Sequence, residues 1–403
     1  MIKIPGKFTA MLFLLAALCF MACESGQELS ESDFKFDGPL GSDGAVIEKL
    51  GTNLFRVTLG HAPNQPQWNN KLNFEITGNA RGNDLVLIVE GPPQYAMNEY
   101  FYSWSYDMEN WNPVHWKAGY RESPEIDTLV FPVFENDRVF VGHQVPISYE
   151  QIEAFISEIE SDDNVKVHIP GKSLGGRNLY RITIADPSGN IPEDERWVHY
   201  YINSHPGEHN AQWRMIGKIE WLLGEEAREF RQHSINHFVL MMSPDAPHNG
   251  WYRVNAQGTD MNRSYFPEGS DREKQAHEAF IFQRDLEDLM ESGPPVTTLW
   301  GHHTWGGPVE PLLYLVEEGL PGPWTRWRDI LQELAPETLI KPLAVRGAPG
   351  FGATSWEYGP HVQFGINTIL CEGAGSLYTK EENKLSGRLL MESMAEFFKS
   401  ARR

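Results

Sequence analysis

Hydrophobic and polar positions change rhythm once along the chain. From about residue 46 to 145 short apolar runs recur at regular spacing. They run from Leu54 to Leu59, Leu72 to Thr77, Asp84 to Glu90, Tyr100 to Tyr106, Thr128 to Phe134 and Val139 to Gly142. Asn, Gly, Pro and Asp punctuate them, and this pattern predicts an antiparallel β-sandwich. Trp104 and Trp111 read as core or inter-domain packing. No cluster of titratable groups marks this half.

After Pro146 the period lengthens. Tyr149 to Glu160 reads as an amphipathic helix, and strand-like and helix-like segments then alternate, which predicts an α/β domain. Val198 to Asn203 reads as a strand. Asn210 to Leu223 reads as a helix, with Trp213, Ile216, Ile219 and Leu223 on one face and Gly224 as its stop. His237 to Met242, Val296 to Gly301 and Ile366 to Cys371 read as further strands. Arg272 to Ser292 and Leu385 to Phe398 read as helices.

Composition narrows the function classes. The 403-residue chain carries a formal charge of −21, which disfavours nucleic acid and anionic lipid as partners. It has three cysteines, Cys19, Cys23 and Cys371, so neither a disulfide framework nor a cysteine-rich zinc site is expected. Any metal must be held by His and carboxylate groups.

The start of the chain reads as a targeting segment. Lys3 and Lys7 precede an apolar run from Met11 to Met21, too short to span a bilayer comfortably. Phe20-Met21-Ala22-Cys23 resembles a bacterial lipoprotein signal, which implies lipidation at Cys23, export and anchoring to a bacterial cell membrane. A plain secretory signal cut near Ala22 is the alternative. The expected organisation is a signal at 1–23, a tether at 24–45, an all-β sandwich at 46–146 and a catalytic domain at 147–403.

Polar groups follow the expected strands at once. They are His205-Pro206-Gly207-Glu208, then Ser243-Pro244-Asp245, then His302-His303-Thr304-Trp305, then Glu372-Gly373. Open α/β sheets bind ligands outside the carboxyl ends of their strands, so these groups are expected to share one cleft. His205 and Glu208, three residues apart at a strand-to-helix turn, can reach one ion, with His302 or His303 as a third ligand. Taken alone, the His-x-x-Glu pair reads rather as a turn histidine beside a solvated acid.

Longer motifs add to this. Asn203-Ser204-His205-Pro206-Gly207-Glu208 with Trp213 resembles the metal motif of the zinc metallocarboxypeptidases, in particular their cytosolic-carboxypeptidase-like branch. Gly171-Lys172-Ser173-Leu174-Gly175-Gly176-Arg177, Ser243-Pro244-Asp245-Ala246-Pro247, Asn249-Gly250-Trp251-Tyr252-Arg253 and Asp260-Met261-Asn262-Arg263 are similar to further motifs of that branch. The resemblance implies a three-layer α/β/α peptidase domain with a mixed sheet behind the β-sandwich. It implies one zinc ion on His205, Glu208 and His303, with His302 the alternate. Glu372 becomes the general base acting on metal-activated water. Arg253 steadies the charge that develops on the carbonyl oxygen. Asn262 and Arg263 bind the substrate's terminal carboxylate, for which a guanidinium fork and an amide donor suit.

The expected reaction is hydrolysis of the amide bond next to a free carboxylate, on a peptide or amide substrate. Two rivals stand beside it: an amidohydrolase acting on cell-wall stem peptides or N-acyl amino acids, and an inactive ligand-binding lipoprotein. Trp356-Glu357-Tyr358 reads as packing. No tyrosine placed over the substrate is evident, and residues 343–355 read as a Gly-rich loop.

Overall fold

The computed structural model describes residues 27–91, 101–114, 126–305, 309–315, 322–335, 344–347 and 352–401. The expected targeting segment, with Cys23, lies outside the described residues.

Two sheets form within residues 34–143. One has the order β1 (Phe34–Lys35), β6 (Phe74–Ile76), β11 (Val139–His143), β8 (Tyr102–Ser105) and β9 (Asn112–Val114). The other has the order β10 (Ile126–Phe131), β7 (Leu85–Glu90), β3 (Leu54–Thr58) and β2 (Val46–Gly51). The β7 sequence Leu-Val-Leu-Ile-Val-Glu alternates buried with half-buried positions, as a strand with one face on a core must. Leu85, Leu87 and Val89 join Phe55, Phe74 and Val141 in the sandwich core. The sheets are not wholly antiparallel, because β3 pairs β7 in parallel. A hairpin of β4 (His61–Ala62) and β5 (Gln65–Asn69) projects from this region.

Residues 27–45 do not behave as the expected tether. Leu29 is 0% exposed, Phe34 enters the sandwich core and Leu40 joins the core of the following region. Backbone N–H groups of Gly41 and Asp43 donate to the carbonyls of Pro247 and Asn249, so the segment is laced across the molecule. Gly-rich, polar composition concealed this, because backbone hydrogen bonds leave no pattern of side chains.

The helix Tyr149–Ile159 follows. Ser148 caps it, accepting from Gln151 N–H, while the Gln151 side chain accepts from Ser148 N–H. Tyr149, Ile152, Ile156 and Ile159 face inward, and each buried Ile stabilises by roughly 1.5–3 kcal/mol. A mixed sheet then takes the order β12 (Val165–Lys172), β13 (Asn178–Ile184), β15 (Ser234–Val239), β14 (Trp197–Ile202), β16 (Thr298–Trp305), β19 (Asn367–Ala374), β17 (Leu312–Leu315) and β18 (Ala344–Gly347). Its centre, β15-β14-β16-β19, is parallel.

Helices cover both faces. His209–Leu223 and Lys380–Ala401 share one core with Tyr201, Trp300 and Ile369. His277–Ser292 shares the other with Tyr200, Ile202 and Leu299. The first two helices cross closely. A Cβ on Gly217 would lie 2.2 Å from the Lys384 carbonyl oxygen, and one on Gly387 would lie 1.9 Å from that of Arg214. Only glycine permits that approach.

Five elements have boundaries that differ from expectation. β16 and β19 run on through His303 and Glu372, because they pair in parallel from Thr298–Asn367 to Trp305–Ala374. β15 begins at Ser234 rather than His237, held in register with Trp197 of β14. The helix expected from Arg272 begins at His277, after a short 3-10 turn capped by Asp271. The closing helix begins at Lys380, where the Thr379 hydroxyl and the Glu382 carboxylate accept from each other's backbone N–H.

Candidate active site

β14 ends at Ile202, and the chain turns through Asn203–Glu208 before the helix that starts at His209. That turn brings His205 and Glu208 to the carboxyl end of the parallel strands. His303 arrives from β16 beside it. The imidazole Nδ1 atoms of His205 and His303 lie 2.9 and 2.8 Å from Oε1 and Oε2 of Glu208. Donor atoms of all three residues lie within 4.8 Å of one another. All three side chains are buried. Two imidazoles and a carboxylate in a pocket of this size suit a single zinc ion, which takes N and O ligands at about 2.0–2.2 Å.

Strand parity separates the two candidate histidines. His302 points to the opposite face of β16 from His303, into the core with Tyr201 and Trp300, and neither of its ring nitrogens has a hydrogen-bond partner among the described residues. His302 as the alternate ligand is therefore set aside.

The outer nitrogens of these two histidines, His205 and His303, also meet acids. His205 Nε2 lies 3.1 Å from Asp260 Oδ1, and His303 Nε2 lies 2.7 Å from Glu357 Oε1. Burial raises the Glu208 carboxyl, but His205 and His303 outweigh this and hold it well below the usual carboxylate range. Burial disfavours charge on His303, yet Glu208 and Glu357 raise it well above its ordinary value.

Glu372 stands opposite His303 in the β16–β19 register. Its side chain keeps some exposed surface, but Oε2 is sealed and has no partner among the described residues. Burial pushes its carboxyl up to about 7. The His303 charge works the other way, and Glu208 and Glu357 add to the rise. A carboxylate with that ionisation, unpaired beside a metal pocket, is suited to general base work.

Arg253 donates from Nε and Nη2 to Asp260 Oδ2 at 3.2 and 3.0 Å, and its guanidinium lies 6.0 Å from the centre of the Trp68 ring. The Asn262 amide is held from two sides. Its Oδ1 accepts from Trp356 N–H at 2.9 Å, and its Nδ2 donates to Glu357 Oε2 at 2.8 Å. Arg263 is exposed and donates to the Asn262 carbonyl at 2.7 Å.

Other motif residues serve the scaffold. Asp245 accepts from Ser173 Oγ, Gly175 N–H and Arg177 Nη1 at 2.9, 2.8 and 2.7 Å, which knots the Gly171–Arg177 segment to the one beginning at Ser243. Arg214 and Glu310 form a fully buried pair at 3.0 Å, and Arg214 also donates to the His303 carbonyl at 3.3 Å. Losing one partner of such a pair costs about 3–5 kcal/mol.

Three contributors escaped the sequence reading. Asp260 was visible only as part of a motif, and Glu357 was assigned to packing. Lys71 comes from the sandwich half. Its buried ammonium donates to the Gly207 carbonyl, and burial pushes it down to about 7 while Glu208 pulls it back up. A lone Lys far from the motif gave no signal. A carboxylate between Trp356 and Tyr358 was the one available hint for Glu357.

The profile of the zinc carboxypeptidase family matches residues 152–282, which include His205, Glu208, Arg253, Asn262 and Arg263. Residues 152–282 thus match a zinc carboxypeptidase domain. Cytosolic carboxypeptidase 2 of Danio rerio is 33% identical over 146 residues, covering 34% of this chain and 20% of that protein. The chain thus spans only about a fifth of that relative's length. A metallo-carboxypeptidase from Burkholderia cenocepacia superposes with a TM-score of 0.72 at 18% identity, over 90% of this chain and 98% of that one. One from Pseudomonas aeruginosa, in complex with (2-guanidinoethylmercapto)succinic acid, gives 0.69 at 18% identity, over 91% and 99%. The α/β region and the strand-rich region before it together have the fold of these proteins.

Proposed function

We propose that the protein hydrolyses the C-terminal amide bond of peptides that end in a free carboxylate, using one zinc ion. The observation that carries this is the pocket itself. Two histidine Nδ1 atoms and the Glu208 carboxylate converge, with Glu372 across the β16–β19 register from His303 and its Oε2 without a partner among the described residues. Zinc held there would act as a Lewis acid and lower the pKa of water. Glu372 accepts a proton and returns it to the leaving amine. Arg253, anchored by Asp260, presents positive charge where the carbonyl oxygen becomes negative. Arg263 is the exposed guanidinium beside this cluster, close enough for its charge to act on Asp260, and it receives the terminal carboxylate. The Pseudomonas aeruginosa neighbour was solved with a succinic acid derivative, a carboxylate-bearing ligand, which supports that reading.

The test is a panel of peptides with free or amidated C-termini, together with N-acyl amino acids and stem peptides. Release of the last residue from free-ended peptides alone is the expected result. Cleavage confined to the N-acyl amino acids or stem peptides would favour the amidohydrolase rival. No cleavage by protein holding one zinc would favour the ligand-binding lipoprotein. We propose further that the protein is exported and lipid-anchored at Cys23. Incorporation of radiolabelled palmitate in a bacterial host, lost in Cys23→Ser, is the expected outcome. Labelling that survives the substitution would refute it. Among the described residues no helix is long and apolar enough to cross a membrane.

A further inference from the structure

Glu357 sits in the turn before the short helix Gly359–Phe364 and is 1% exposed. A carboxylate buried to that degree is costly unless paired. No Lys or Arg pairs with it among the described residues. Its partners are His303 Nε2 through Oε1, at 2.7 Å, and Asn262 Nδ2 through Oε2, at 2.8 Å. The fold makes room for it. Gly301 lies two residues before His303 on the same face of β16, and a Cβ there would stand 2.2 Å from Glu357 Oε1.

The two contacts have distinct consequences. A carboxylate accepts and never donates, so the Nε2 it faces must carry the proton. Nδ1 of His303 faces Glu208 and the metal pocket, so it is the nitrogen that gives up its proton and offers a lone pair when a metal binds there. Asn262 is fixed in the same way from two sides. Trp356 N–H donates to its Oδ1 while Glu357 accepts from its Nδ2. Turning the amide over would set two donors and two acceptors against each other.

We propose that Glu357 is a positioning residue with two tasks. It holds His303 in the tautomer that ligates the metal, and it fixes the Asn262 amide beside the substrate's terminal carboxylate. Metal retention and recognition of the substrate's end therefore share one buried acid. This rests on the zinc carboxypeptidase reading. Asp260 makes the matching contact to His205, so each ligand histidine has its own carboxylate. Such outer partners orient the ring and strengthen the ligand.

The experiment compares full-length wild type, Glu357→Gln and Gly301→Ala. In the second variant the added methyl group pushes the carboxylate aside while its charge remains. The measurements are zinc release to a chromogenic chelator, the visible spectrum of the cobalt(II)-substituted protein, and kcat and KM separately. Unfolding of the metal-free proteins in urea controls for folding. Both variants are expected to hold zinc roughly 10–100-fold more weakly, to show an altered cobalt spectrum, and to raise KM. Glu357→Asp is expected to restore part of each. Wild-type zinc release and an unchanged cobalt spectrum in a folded Glu357→Gln would overturn the proposal. If Glu357→Gln does not fold, the same two readings on Gly301→Ala decide. Altered metal retention in a protein that cleaves no peptide would sink the proposed function and leave the His303 task standing.

Discussion

Glu372→Gln is expected to lower kcat by roughly 10²–10⁴-fold, the range for loss of a positioned general base, with zinc content unchanged. The amide keeps the shape of the side chain and cannot accept the proton. Glu372 is not among the donors that converge on the metal pocket, so the ion has no reason to leave. The pH profile of the wild type follows from the same residue. The base works deprotonated, and burial pushes its ionisation up to about 7. Activity should therefore fall as pH drops through the ionisation of Glu372, which the charge of bound zinc moves below its metal-free value of about 7, and the variant's residual activity should lack that limb. Stability supplies a second sign. The ordinary value is 4.5 and the folded value about 7. Between these the folded protein keeps a proton that the unfolded chain has lost. Stability then decreases as pH rises through that window. Metal-free Glu372→Gln should unfold at a higher temperature than metal-free wild type at pH 7.5. An equally active variant would remove Glu372 from the chemistry.

His205→Ala and His303→Ala are each expected to reduce bound zinc from one equivalent to near none, and activity with it. Each removes one of three buried donors, and the two that remain do not make a structural or catalytic zinc site. His302→Ala is the informative control. Its ring lies on the opposite face of β16, stacked near Trp300 and Tyr201, so its loss costs packing and not metal. Zinc measured by mass spectrometry on the three purified variants separates these outcomes. Zinc lost from His302→Ala and kept by His303→Ala would invert the assignment. The apoprotein also needs protons removed before it binds metal, because Glu208 and Glu357 raise His303 well above its ordinary value. Affinity for zinc should weaken as pH falls.

Much of this molecule is legible one segment at a time. The Ser148–Gln151 box, the alternation in β7 and the apolar stripe of the helix starting at Tyr149 follow from local preferences. Polar groups at strand ends located His205, Glu208, the His302–His303 pair and Glu372, because a strand's carboxyl end in an open sheet is where side chains meet a cleft. Motif resemblance added Arg253, Asn262 and Arg263. Even so, the expected ends of β16 and β19 fell short of His303 and Glu372. How far a strand continues depends on its neighbour's register, and no local pattern records that.

The sequence by itself determined the all-β to α/β order, the donor types for a metal and the set of residues that could supply them. Only the tertiary structure decided between His302 and His303, since adjacent residues in a strand face opposite ways and the choice depends on which face holds the cleft. It also decided the partners of that cleft. Lys71 comes from the sandwich, Asp260 from a loop and Glu357 from the turn before the helix Gly359–Phe364. Periodicity reports which face of one element is buried. It carries no information about which distant element is packed against it, and these three contacts all lie between elements distant in the chain.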